Sequence, residues 1–149
     1  MKKSILFTLI IFAVIIGTAT NFPSGNKIEG LMKGKCVAIH PFELKEGVDV
    51  AEFEEFMITK ILSIYNKVNG QEAVLIKGDR GQRTGKYAVM LTFDDVEKRN
   101  EIYPPEGGIS KEFQDAGSGH DEDWAKISDY VVGNFWDNHT DYFVVQLEE

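Results

Sequence analysis

Thiol chemistry is almost absent from this chain: Cys36 is its only cysteine. No internal disulfide can form, so packing alone must hold the fold, and on an apolar strand Cys36 reads as a small buried hydrophobe rather than a nucleophile. Basic residues are also scarce, with 16 Lys and Arg against 24 Asp and Glu for a net charge of −8. That argues against nucleic acid as a partner, because phosphate binding needs clustered cations. There are three histidines. Neither His120 beside Asp121, Glu122 and Asp123 nor His139 between Asp137 and Asp141 has the spacing of a metal motif, so no metal is expected, and no cofactor. A solvated acidic helix start and a polar loop explain both groups. The turn at 78–85 holds Arg80 and Arg83 beside glycines but lacks the strand-to-helix setting of a phosphate loop.

The longest apolar stretch runs over 5–16, short of the roughly 20 residues a membrane span requires. It follows Lys2 and Lys3 and precedes Gly17, Thr18, Ala19 and Thr20, the order of parts in a signal peptide. Residues 1–20 are therefore expected to be a cleaved leader, 21–34 a flexible tether, and 35–149 one domain that is periplasmic or secreted, with no stable membrane anchor after cleavage. Loss of the two leader lysines makes the mature form more acidic still.

Within 35–149 the periodicity alternates between two and 3.6 residues. A strand is predicted over 35–44, with Val37 and Ile39 on one side and Cys36, Ala38, His40 and Phe42 on the other. Asp49 is placed to cap a helix over 49–68 whose stripe is Phe53, Phe56, Met57, Ile61, Ile64 and Val68. Strands over 72–77 and 86–93 flank a glycine-rich turn and read as a hairpin. Asp94 or Asp95 starts a short helix that Pro104 and Pro105 end. A long glycine-punctuated loop over 106–119, with one helical turn at 111–115, has the character of a lid or binding segment. A second main helix over 120–133 turns Trp124, Ile127, Tyr130 and Val131 inward as core, and a last strand covers 140–147. The class is α+β, in the ferredoxin-like order β-α-β-β-α-β with a four-stranded antiparallel sheet.

Such a sheet should be polar on the face its helices leave bare. Here both faces carry apolar residues: Tyr87, Val89, Leu91 and Phe93 alternate with Ala88, Met90 and Thr92, and Tyr142 and Val144 oppose Phe143 and Val145. Something must cover the second face, and a second copy of the chain is the natural cover. Together with this pattern, the run Arg99-Asn100-Glu101-Ile102-Tyr103-Pro104-Pro105-Glu106-Gly107-Gly108 resembles the dimeric α/β barrel superfamily, especially its uncharacterised exported bacterial members, over 35–147. The resemblance implies two ferredoxin-like protomers packed sheet to sheet. The superfamily includes antibiotic-biosynthesis-type monooxygenases, haem-degrading enzymes, lactone isomerases and proteins of no known activity, so likeness of fold transfers no reaction.

Three functions stay open. The first is an exported homodimer that binds a small apolar ligand between sheet and helices. The second is a cofactor-independent monooxygenase or isomerase with His40 as base and Tyr103 or Tyr142 orienting the substrate. The third is a structural or partner-binding domain without a ligand. The strand phase groups His40 with Phe42 on the face expected to line the space between sheets, where a histidine can bind a ligand or move a proton; the plainer role is a buried histidine bonded to a backbone carbonyl. The candidate site is His40, Phe42, Tyr103 and Tyr142, with the segment 103–119 as its cover.

Overall fold

The computed structural model describes residues 35–134 and 136–143. The leader expected over 1–20, the tether over 21–34 and the distal half of the last strand lie outside the described residues. Strand β1 (Cys36–Phe42) leads to α1 (Val50–Phe56), which passes through a π-helical segment (Met57–Ile61) into α2 (Leu62–Tyr65). The hairpin of β2 (Gln71–Lys77) and β3 (Tyr87–Phe93) follows. Three helices, α3 (Val96–Ile102), α4 (Lys111–Gly117) and α5 (Asp121–Tyr130), then precede β4 (Thr140–Phe143). The sheet order is β2-β3-β1-β4, with every pairing antiparallel. This is the ferredoxin-like α+β plan.

Local chemistry explains the boundaries. The Asp49 carboxylate accepts from the backbone N–H groups of Ala51 and Glu52 at 2.9 and 3.1 Å, satisfying donors that a helix start leaves open. Asp95 accepts from the Lys98 N–H at 2.7 Å, and Ser110 from that of Phe113 at 3.1 Å. The Ser110 cap makes α4 a seven-residue helix where the sequence suggested a single turn. Beyond α2 the chain turns through Gly70, whose φ of +82° suits glycine. Asn66 stabilises that turn by bonding both backbone groups of Ala73.

The six predicted stripe residues of the first helical rod are all buried. The π turn holds more residues than an α turn, and past it Leu62 and Tyr65 join Ile64 on the buried side. Phe53, wholly buried, is central to the core: its ring lies 5.8 Å from that of Phe42, 5.3 Å from Tyr87 and 5.7 Å from Tyr130.

One expectation is corrected. Cys36, Ala38, His40 and Phe42 face the helices, not a space between two sheets; all four are buried, while the residues between them are half-buried. On β3 their register partners are Phe93, Leu91, Val89 and Tyr87, against Thr92, Met90 and Ala88 for the other set. The helices cover the bulkier of two apolar faces because it buries more surface. The other face carries Val37, Ile39, Val74, Met90 and, more exposed, Ile76 and Tyr142. Phe42 therefore does not share a surface with Tyr142.

Candidate functional site

Between sheet and helices lies a cavity of about 950 Å³. Its floor is the sheet: Ala38 and His40 from β1, Leu91 and Phe93 from β3, and Asp141 from β4. Its roof is Tyr65 at the end of α2, Phe113, Gln114 and Gly117 from α4, and Trp124 from α5. The lining is completed by Arg99, Asn100, Tyr103, Pro104 and Pro105, and by Trp136 and His139 from the segment before β4. The volume is at the upper end of what small-molecule sites offer, and aromatic walls with a few convergent polar groups are their usual composition.

The walls are braced ring on ring. Trp136 stacks on Tyr65 at 5.4 Å and 20°, and Trp124 meets both nearly edge-on at 5.9 and 6.0 Å. Tyr103 packs on Phe93 and Phe113 at 5.9 and 5.7 Å. Its hydroxyl donates to Gln71 Oε1 at 3.1 Å. Burial pushes the Tyr103 phenol well above the ordinary tyrosine range, and burial does the same to Tyr65, helped by the neighbouring Tyr103. Both phenols stay protonated at neutral pH and offer the cavity no negative charge. Trp124, expected to be plain core, is only half-buried, because the cavity replaces packed side chains on one side of its ring.

The polar groups gather on the β1–β4 side. The His40 and His139 rings stack at 4.9 Å and 17°, and Trp136 meets His40 edge-on at 5.7 Å. The Arg99 guanidinium donates through Nη1 to the Asp141 carboxylate and through Nε to Asn100 Oδ1 at 2.9 Å. The remaining carboxylate of the lining, Asp121, is in the first turn of α5. Among the described residues no three His, Cys, Asp or Glu side chains converge as a metal site would require. His120 instead bonds Asp123 at 2.8 Å.

Of the four candidate residues, His40 and Tyr103 line the cavity, and the segment after Tyr103 forms part of its wall and roof. Phe42 lies in the core against Phe53 and Tyr87. Tyr142, paired with Val37, is exposed on the opposite face. It does not bound this cavity, because its strand phase turns it away from the helices. Sequence reasoning missed Tyr65, Arg99, Asn100, Asp141 and the inward role of His139. Asp141 carried one signal, a charge in strand phase with apolar Phe143; the others had none that periodicity could isolate.

No family model and no curated protein sequence matches the chain. Among solved structures it is similar to a dimeric protein of unknown function and ferredoxin-like fold from Bacteroides fragilis, with a TM-score of 0.45 and 16% identity over 76% of this chain and 99% of that one. It is also similar to an uncharacterised NIPSNAP-like domain protein from Burkholderia xenovorans, with a TM-score of 0.41 and 13% identity over 76% of this chain and 86% of that one.

Proposed function

We propose that the chain acts outside the cytoplasm as a homodimer that binds a small, largely apolar organic ligand between its sheet and its helices. The observation that carries this reading is the cavity of about 950 Å³ walled by aromatic rings. A cleft of this size lined by aromatic rings leaves apolar surface facing water, which a bound apolar ligand would cover. The dimer rests on the second apolar sheet face, where Val37, Ile39, Val74 and Met90 lie together. Both tryptophans of the chain line the cavity, so they report directly on its contents. N-phenyl-1-naphthylamine, an uncharged probe that brightens in apolar surroundings, should bind saturably, with energy transfer from tryptophan. Ala38→Phe, which puts a ring on the cavity floor, should weaken that binding. An absence of saturable binding, or binding that Ala38→Phe leaves unchanged, would count against the site.

The second reading, a cofactor-independent monooxygenase or isomerase, is favoured by one feature: His40 stands at the cavity wall, where a base would meet a ligand. Of the two tyrosines proposed to orient a substrate, Tyr103 also lines the cavity. Chemical conversion of a copurifying ligand, followed by mass spectrometry and abolished in His40→Gln, would separate catalysis from binding.

A further inference from the structure

Among the described residues, Arg99 is the only Lys or Arg in the cavity lining. Its pair with Asp141 is the least exposed Lys/Arg–carboxylate pair among the described residues, at 20% and 27% side-chain exposure. The pair joins α3 to β4, and both partners line the site. Its two charges cancel, but its hydrogen-bonding capacity is not used up. A guanidinium has five N–H donors, of which the bonds to Asp141 and Asn100 use two, and the carboxylate keeps an oxygen beyond the one that accepts from Arg99. The wall therefore sets a donor beside an acceptor while presenting no net charge.

A ligand edge with its own acceptor and donor side by side, such as a primary amide, a lactam or a hydroxyl next to a ring carbonyl, complements that wall without leaving a charge unpaired. A carboxylate would gain Arg99 but face Asp141, and an ammonium would gain Asp141 but face Arg99. Either must also give up part of its hydration to enter an aromatic cleft. The other lining carboxylate, Asp121, is exposed at the start of α5, where solvent screens it. Tyr65, Tyr103, Trp124 and Trp136 supply ring faces for the apolar body.

We propose that the Arg99–Asp141 pair makes the cavity select uncharged ligands that carry a hydrogen-bond donor and acceptor on one edge of an aromatic body, and reject carboxylates and ammonium ions of the same shape. This rests on the cavity being a ligand site. The test is calorimetric titration of the purified chain at neutral pH with 2-naphthamide, 2-naphthoate and 2-naphthylmethylammonium, which share a ring system and differ in charge. The amide should bind at least roughly tenfold more tightly than either ion, because the attraction and repulsion an ion meets at the pair offset each other and its lost hydration is left uncompensated. Asp141→Asn should free Arg99 and reverse the order in favour of the carboxylate. Arg99→Gln should favour the ammonium, and it remains available if Asp141→Asn does not fold. Equal binding of the three probes, or a ranking that the folded variants leave unchanged, would overturn the inference while sparing the cavity. Binding of N-phenyl-1-naphthylamine without binding of any naphthalene probe would do the same; failure of all four probes would overturn both readings.

Discussion

Ala38 and Ala73 are twins in the sheet: both are buried on the helix-facing side, and both pair in register with Leu91, one from each side. Both belong to the buried core, and they differ in that Ala38 also lines the cavity while Ala73 does not. Enlarging each to leucine therefore measures whether the cavity is real space. At Ala73 the added carbons meet close-packed neighbours, and overpacking of this kind costs about 1–3 kcal/mol. At Ala38 they enter the cavity. Three methylene-sized groups at about 0.8 kcal/mol each set a ceiling near 2.4 kcal/mol of stabilisation, and partial contact with water reduces this to about 1 kcal/mol. The two variants should thus differ by about 2–4 kcal/mol in opposite directions from the parent. Urea denaturation followed by tryptophan emission and circular dichroism gives both free energies, provided the slopes agree. Equal destabilisation would mean that the space above Ala38 closes in solution, and the reasoning from the cavity would fail.

Protein isolated from its native cell envelope should have an amino terminus near Ala19 to Pro23, read by intact-mass spectrometry; Met1 on most of the material would refute export by a cleaved leader. Met90, between Ile39 and Val74 on the bare sheet face, is the place to charge the proposed seam: sedimentation should show a dimeric parent and a monomeric Met90→Glu, and a parent that stays monomeric at high concentration would refute the dimer. The Tyr130 hydroxyl, donating to Glu52 at 2.7 Å, and then Lys126 at 3.2 Å hold the Glu52 carboxyl below its usual value of 4.5. A depressed folded-state value means this contribution is complete above about pH 4.5 and is lost as pH falls through the lower folded value. Stability of the parent should therefore drop more steeply below pH 4.5 than that of Glu52→Gln, and parallel pH profiles in chemical denaturation would refute the assignment.

What the sequence by itself determined is what depends on near neighbours. The caps at Asp49 and Asp95 act within three residues, the stripe from Phe53 to Val68 repeats with the helical turn, and the hairpin joins strands close in the chain. For that reason the element order and the ferredoxin-like plan were legible; the segment singled out after Tyr103 supplies part of the cavity lining. Tertiary structure decided the rest. Period two separates His40 from Ile39 but cannot say which set meets the helices when both are apolar; the bulk of Tyr87, Val89, Leu91 and Phe93 settled it, and carried Phe42 into the core while leaving Tyr142 outside. The cavity itself depends on β4 pairing with β1 rather than at the far edge of the sheet. That pairing brings Asp141 to Arg99 across 42 positions of chain and sets His139 and Trp136 beside His40 and Tyr65. Contacts of such separation leave no period in the sequence, because they arise only once the burial of apolar faces has chosen the neighbours of each strand.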